Sequence, residues 1–339
     1  MEFKKILIVK LSSLGDIIHT LPSFYLIRKK FPSSRIAWVT EKKGSEILSM
    51  VKNLDSIIIA DTLNWRKKPF SKNTLKEIRN FFKKIRNGFD LAVDFQGTVK
   101  SSIISYLSGT KIRVGFGNNN LKEPISSIFY NKKLNTISEK IHVIDKNKRL
   151  LSLIGINNEK VDSLEDIFVQ QVEPFNKKDA SYIILNVGAN WETKRWAPEK
   201  FGLLGKRLKE KGLNPVILWG NEMERRLAKR ASSIGNIPLV PYMPIKRIID
   251  YIRNADLVVS GDTLALHISS LFSVPSVGIY GPSDPEKNGP FHKNSSVIFK
   301  NIPCSFCYKK KCKNLECLKE IQVEEVEKEV LRILNETKN

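Results

Sequence analysis

The chain has 339 residues, about twice the ~150 residues of a common domain, so two hydrophobic cores are expected rather than one. Hydrophobic residues at 41% and charged residues at 27%, without any low-complexity tract, exclude intrinsic disorder. Lysine and arginine number 57 against 35 aspartates and glutamates, and this net charge of +22 points to a polyanionic partner: nucleic acid, anionic lipid or a phosphorylated substrate.

At the N-terminus Lys4 and Lys5 precede the apolar run 6–9, but Lys10 ends that run short of a secretory signal, so a cytoplasmic protein is expected. Further β-rich runs follow at 36–39, 57–60, 91–95, 182–187, 216–219, 257–260 and 276–280. Between them Leu75, Ile78, Phe82 and Ile85 recur at helical spacing and stop before Gly88; Phe201, Leu204 and Leu208 do the same before Gly212. Strand alternating with helix predicts parallel sheets. The rhythm weakens over 155–180, where Asn157, Asn158, Pro174 and Asn176 fall, and this predicts a division into residues 1–170 and 171–339. Two doubly wound, Rossmann-like α/β domains facing across a cleft are therefore expected. The most apolar stretch, 257–280, is interrupted by Asp262 and His267 and cannot supply the ~20 lipid-facing residues of a membrane span. A charged helix over 323–335, with Val323, Val326, Val330 and Ile333 on one stripe, closes the chain.

Open α/β sheets bind ligands beyond the carboxyl ends of their strands, so the turns after the predicted strands carry the candidate chemistry. In the first, Lys10-Leu11-Ser12-Ser13-Leu14-Gly15-Asp16-Ile17-Ile18-His19, Gly15 permits a tight turn and Asp16 falls at or near a helix start. Its carboxylate either caps the helix, worth about 1 kcal/mol, or projects into the cleft as a reactive group. The Gly-x-Gly-x-x-Gly fingerprint is absent, which argues against an ordinary nicotinamide-binding domain. The second turn runs from Val258 through Gly261-Asp262-Thr263-Leu264-Ala265 to His267. Successive amides opening a helix form an anion site, Thr263 adds a hydroxyl donor, and a pyrophosphate fits there. His267, one turn further on, either faces that ligand or is a satisfied structural histidine. Lys194, in Lys194-Arg195-Trp196, is either a phosphate-neutralising cation or part of a solvated basic loop. Glu222, after Trp219-Gly220-Asn221, either accepts hydrogen bonds from a ribose or adenine, or is a favourable charge at a helix start. Cys304, Cys307, Cys312 and Cys317 offer four thiolates within fourteen positions, enough for a structural zinc or iron site, or else are buried or free thiols.

Taken in order, these pieces resemble a known family over the whole chain. The run from Val9 to Pro22, Asp94-Phe95-Gln96-Gly97, Glu123-Pro124, Lys194-Arg195-Trp196, Gly261-Asp262-Thr263 with His267, and Tyr280-Gly281-Pro282-Ser283-Asp284-Pro285 are similar to the bacterial ADP-heptose lipopolysaccharide heptosyltransferases of glycosyltransferase family 9. The form Gly15-Asp16-x-x-His19-Thr20-Leu21-Pro22 looks most like the heptosyltransferase I branch, which adds the first heptose to the Kdo of the inner core. The resemblance implies a GT-B fold, with the acceptor bound by residues 1–170 and ADP-heptose by residues 171–339. It implies Asp16 as the general base of an inverting transfer, and Lys194, Glu222, Asp262, Thr263, Leu264, Ala265 and His267 as donor-binding residues. It implies Ser13, Gly15, His19, Arg66, Gln96 and Lys122 as acceptor-binding residues. Lys122 stands where the family often has arginine and lacks the bidentate fork.

No cofactor for catalysis is implied, because Lys194, Thr263 and helix-start amides would stabilise the departing diphosphate. Cysteine-bearing tails occur in other branches of the family, including protein-directed members with a metal-binding finger. The implied acceptor, Kdo-lipid A or a related anionic glycolipid, is embedded in a bilayer. Peripheral contact with the cytoplasmic face of the anionic inner membrane follows, through basic stretches such as Arg66-Lys67-Lys68 and Lys83-Lys84-Ile85-Arg86. A heptosyltransferase II acceptor, another core sugar or a protein side chain remain open. The rival reading, a basic nucleic-acid-binding protein with a four-cysteine metal site, lacks the interleaved aromatic and basic residues of RNA recognition.

Overall fold

Short β-branched runs covered on both faces pair in parallel, and their near-continuous apolar character is the mark of such burial. The computed structural model describes residues 2–135, 140–157, 161, 164, 167–168 and 181–338. It divides into two compact units, Met1–Gln170 and Gln171–Asn339. Most of the connection expected over 155–180 lies outside the described residues.

In the first unit β1 (Lys5–Val9), β2 (Arg35–Thr40), β3 (Ser56–Ile59), β4 (Leu91–Asp94), β5 (Ile112–Phe116) and β6 (Lys132–Leu134) form one parallel sheet in the order β3-β2-β1-β4-β5-β6. Ile6, Leu7, Ile8 and Val9 of the central strand are fully buried. Leu7, Val9, Ala37, Val39 and Ala92 on one face pack with Phe81, Ile85 and Ile104 from the covering helices.

In the second unit β7 (Ile183–Asn186), β8 (Pro215–Leu218), β9 (Leu257–Gly261), β10 (Ser276–Ile279) and β11 (Ser295–Ile298) form a parallel sheet in the order β11-β10-β9-β7-β8. Beyond β8 a single parallel bridge joins Ile217 to Leu239, with the Ile217 N–H donating to the Pro238 carbonyl and the Val240 N–H to the Ile217 carbonyl, each at 3.0 Å. Counting that bridge as a vestigial strand, the second sheet repeats the Rossmann order of the first. Trp196, Phe201, Leu204 and Leu208 fill its core, and the closing helix, Val323–Lys338, adds Val326, Val330 and Ile333.

The eight predicted strands are all present; β5, β6 and β11 were not anticipated. The last two are edge strands of three and four residues, Lys-Lys-Leu and Ser-Ser-Val-Ile, with no fully buried residue. The first helix covering the 75–85 pattern is Lys72–Ile85 and ends at a cap on Arg86; Gly88 follows with φ +67° in the turn rather than serving as the cap itself. No described helix is long and apolar enough to cross a membrane.

Helices Pro198–Glu210 and Glu222–Gly235 cross at glycines. A Cβ on Gly202 would lie 2.7 Å from the Ala231 carbonyl oxygen, and one on Gly235 2.4 Å from that of Gly202. Replacing Gly202→Val gains a few tenths of a kcal/mol of helix propensity but overpacks the crossing by about 1–3 kcal/mol. Urea denaturation should therefore show a net loss of stability; an unchanged midpoint would mean the helices part without cost.

Candidate functional site

In each sheet the strand order reverses at one point, between β1 and β4 in the first unit and between β7 and β9 in the second. Loops leaving neighbouring strands diverge there and open a crevice at the carboxyl ends.

At the first reversal Val9 pairs with Asp94. Asp94 is fully buried; its Oδ1 accepts the N–H groups of Gln96 at 2.7 Å and Gly97 at 3.2 Å, and its Oδ2 accepts the Tyr130 hydroxyl at 2.7 Å. Burial raises its pKa above the ordinary aspartate value against the pull of these donors. The turn so formed places Gln96, whose Oε1 accepts the N–H groups of Leu11 at 3.0 Å and Ser12 at 3.1 Å. Two backbone donors on one oxygen fix the orientation of that amide. The buried Lys10 ammonium adds a second tie, donating to the Phe95 carbonyl at 3.0 Å.

Held this way, the chain turns through a cis Ser12–Ser13 peptide into helix Leu14–Ile18. Ser13 is its N-cap and Asp16 its third residue, so Asp16 is not itself the cap. The Asp16 Oδ2 accepts the Ser13 N–H at 2.9 Å and the Ser13 hydroxyl at 2.8 Å, the carboxylate half of a capping box. Asp16 and Gly15 remain partly exposed, whereas His19 is buried edge-to-face against His142. Arg66 and Lys122 are exposed, on helix Thr62–Lys67 and before the turn at Pro124. Next to these strand ends lies a charged set that sequence reasoning missed: the Lys100 ammonium donates to Glu41 Oε1 at 2.9 Å and to Thr62 Oγ1 at 2.7 Å, and Thr62 also bonds Glu41.

At the second reversal Asn186 pairs with Ser260. The Asn186 amide donates to Ser260 Oγ at 2.9 Å and Thr263 Oγ1 at 3.0 Å, tying the end of β7 to the N-cap of helix Leu264–Leu271. Leu264 and Ala265 supply the first amides of that helix. Gly261 permits a close approach here, since a Cβ would lie 2.5 Å from the Lys194 carbonyl oxygen. The Lys194 ammonium lies 4.4 Å over the Trp191 ring and pairs with Asp262, whose other oxygen is 3.1 Å from His267 Nε2. Burial of Asp262 works to raise its pKa, but the His267 hydrogen bond and the Lys194 charge outweigh it and hold the carboxyl well below the usual range. His267 is thus engaged by Asp262 rather than standing alone at the helix start.

The two glutamates after Gly220 differ. Glu222 is exposed and pairs with Arg225 at 3.4 Å. Glu224 turns back instead: its Oε2 accepts the Gly220 N–H at 2.8 Å, and its carboxylate lies so close to Gly188 that a Cβ there would be 2.4 Å from its Cδ. Glu224, not Glu222, is the carboxylate at the carboxyl end of β7.

The four cysteines lie near one another: burial first, and then the charges of Cys304, Cys307 and Cys312, raise the Cys317 thiol pKa. Cys317 is buried in the core of the second unit, whereas Cys304, Cys307 and Cys312 are exposed. Among the described residues no group of three or more histidine, cysteine or acidic side chains could hold a metal ion. Backbone N–H groups of Leu315 and Asn314 lower the Cys312 thiol pKa. Their segment braces the site. The Phe306 N–H donates to the Gly281 carbonyl at 3.1 Å, the Tyr308 N–H to that of Pro282 at 2.8 Å, and Thr193 Oγ1 to that of Lys309 at 2.7 Å.

The family model for glycosyltransferase family 9 (heptosyltransferase) matches residues 78–318. Lipopolysaccharide heptosyltransferase 1 of Pseudomonas aeruginosa is 26% identical over 311 residues, covering 91% of this chain and 87% of that protein. The Escherichia coli K12 protein of the same name is 28% identical over 297 residues, covering 86% of this chain and 92% of its own. The structure of E. coli heptosyltransferase WaaC with ADP superposes with a TM-score of 0.81 at 23% identity, over 97% of this chain and 99% of that one, and the shared fold is GT-B.

The Lys194–Asp262–His267 group makes a linkage prediction. A depressed carboxyl pKa contributes stability that is complete above the ordinary aspartate value of about 3.9 and is lost as pH falls through the folded value. Asp262→Asn should cost about 3 kcal/mol at neutral pH, because it leaves the Lys194 charge without its partner, and the gap to the parent should narrow below about pH 4. Denaturation midpoints across that range check it; a difference independent of pH would dissociate the stability from the charge.

Proposed function

The chain belongs to glycosyltransferase family 9, and on that premise we propose that it moves L-glycero-D-manno-heptose from ADP-heptose to the Kdo of the lipopolysaccharide inner core, with inversion and with Asp16 as general base. The observation that carries the donor half is the end of β9. The Leu264 and Ala265 amides, the Thr263 hydroxyl and the Lys194 cation converge beside a buried carboxylate, which suits a diphosphate at a helix N-terminus. The relatives' names, lipopolysaccharide heptosyltransferase 1, support the acceptor half.

In this reading an acceptor hydroxyl attacks the anomeric carbon while Asp16 takes its proton. The bond from that carbon to the β-phosphate oxygen breaks, and the electron pair leaves with ADP. Lys194, Thr263 and the two helix-start amides hold the charge that develops on the leaving diphosphate. Asp262 and His267 act one step back, fixing Lys194. Ser13, Gly15, Gln96, Arg66 and Lys122 border the acceptor, with His19 acting from beneath through packing. The acceptor places the enzyme on the cytoplasmic face of the inner membrane, and no step requires a metal at the cysteines.

ADP release from ADP-L-glycero-β-D-manno-heptose, with and without de-acylated Kdo-lipid A, tests the reaction. Asp16→Ala should lower acceptor-dependent release by about 10²–10⁴-fold while ADP still binds. Lys194→Ala should weaken donor binding and turnover together, by about 10²-fold in kcat. Near-normal turnover of Asp16→Ala would remove it as the base, and bound donor without release would redirect the search to other acceptors. The two glutamates separate in the same assay: Glu224→Ala should raise the ADP dissociation constant about tenfold through loss of a charge-assisted hydrogen bond, and Glu222→Ala should leave it unchanged.

A further inference from the structure

Helix Lys72–Ile85 carries a feature that the transfer reaction does not use. Lys72, Lys76, Arg79, Lys83 and Arg86 follow one another at steps of four and three residues, so at about 100° per residue all five fall within roughly 80° of arc, in a row about 21 Å long. The opposite flank is buried through Thr74, Phe81 and Ile85. The helix has one acid, Glu77, which accepts the Trp65 indole N–H at 3.1 Å. Lys76, Arg79, Lys83 and Arg86, with Asn80, Phe82 and Leu107, line a groove of about 760 Å³. None of these four cations makes an ion pair among the described residues. The Arg86 Nε–H instead donates to the Leu107 carbonyl at 3.0 Å, with its guanidinium 5.7 Å from the Phe82 ring.

Exposed apolar side chains occur on the same helix and on the segment just before it. Phe70, two residues before the helix, is 91% exposed. Leu75, about 60° from Lys72 around the axis, is 55% exposed, and Leu63 on helix Thr62–Lys67 is 54% exposed. The helix leaves β3 and returns to β4, so it begins at the carboxyl ends of the strands, the same end as Asp16 and Gln96. A cation row accompanied by exposed aromatic and aliphatic side chains is the composition of a surface that lies on an anionic bilayer, its cations on headgroup phosphates and its apolar tips at the acyl boundary.

We propose that this face, centred on Lys76, Arg79, Lys83 and Phe70, docks the first unit on a bilayer of anionic phospholipid. The purpose of docking rests on the reading of a bilayer-embedded acceptor, but lipid binding is measured without any transfer. A nucleic-acid surface would set stacking aromatics along the row; Phe82, the aromatic ring in the groove, is instead half-buried beneath Arg86.

Co-sedimentation of the full chain with vesicles of phosphatidylcholine alone, and of phosphatidylcholine mixed with phosphatidylglycerol, tests it. Binding should require phosphatidylglycerol and weaken with added salt. At about fivefold per cation, Lys76→Gln, Arg79→Gln and Lys83→Gln combined should lower partition about 10²-fold. Phe70→Ser, at an exposed position, should lower it about tenfold. Turnover on the water-soluble de-acylated acceptor should be unchanged in both, which separates failure of docking from failure of the proposed reaction. Equal partition of parent and variants, or equal binding to neutral and anionic vesicles, would overturn the proposal. So would single-stranded RNA binding that is lost in the triple variant without any preference for anionic vesicles.

Discussion

Two strands that lie side by side while their onward chains depart in opposite directions are joined by ladder hydrogen bonds only up to their last residues. Beyond that point a side chain must hold the two loops in register, and in each unit one amide does so. Gln96 after β4 accepts the N–H groups of Leu11 and Ser12 after β1, and Asn186 at the end of β7 donates to Ser260 and Thr263 at the end of β9. Asp16 lies four residues beyond the first tie, and Thr263 is part of the second. Both positions thus inherit their placement from ties that are themselves set by the sheets, and Asp94 beneath Gln96 extends that support to Tyr130.

The second constraint is electrostatic. Asp262 is buried, and an isolated buried carboxylate would be protonated; Lys194 and His267 keep it ionised. That pairing places the Lys194 cation beside the first turn of helix Leu264–Leu271, where the helix end already favours an anion. Holding one lysine against one carboxylate takes packing from outside the turn. Trp191 lies under the ammonium, Gly261 gives way to the Lys194 backbone, and the cysteine segment grips the turn through Thr193 and the approach of Lys310 to Trp191. The segment therefore has a mechanical role at the site through its backbone, while Cys317 fills core space next to Gly281.

What could be read in the sequence is what is local. The buried central strands announce themselves by composition, and the strand–turn–helix pieces around Asp16 and Asp262 need only a few residues to be recognised. The edge strands β6 and β11 were invisible because such strands are short and polar at their exposed rims. Asn186 reads as one more residue of the 182–187 strand run until its partners, 74 and 77 positions away, come into place. Glu41, Thr62 and Lys100 are likewise brought together from three separate strand ends. Glu222 and Glu224 are separated only by where helix Glu222–Gly235 begins: with Asn221 as its cap, the third helical residue is the one that reaches back. The four cysteines stay close in space as they are in sequence, with Cys317 in the core and the other three exposed.

The charge excess is not an even coat, and its distribution separates structural from unspent cations. Residues 1–170 hold 30 lysines and arginines against 16 acids, a net +14, and the remainder holds 27 against 19, a net +8. In the second unit the closing helix draws cations into pairs, with Arg207 to Glu324 and Glu327, Lys211 to Glu327, and Lys300 to Glu325. Such surface pairs contribute little to stability, but they neutralise the face that carries them. Helix Lys72–Ile85 does the reverse: with its cap Arg86, all of its cations but Lys84 share one arc, and its single acid is turned to Trp65. Like charges at helical neighbour spacing repel by a few tenths of a kcal/mol per pair. A row of five therefore works against the isolated fold, and that cost is relieved when an anionic surface lies against it.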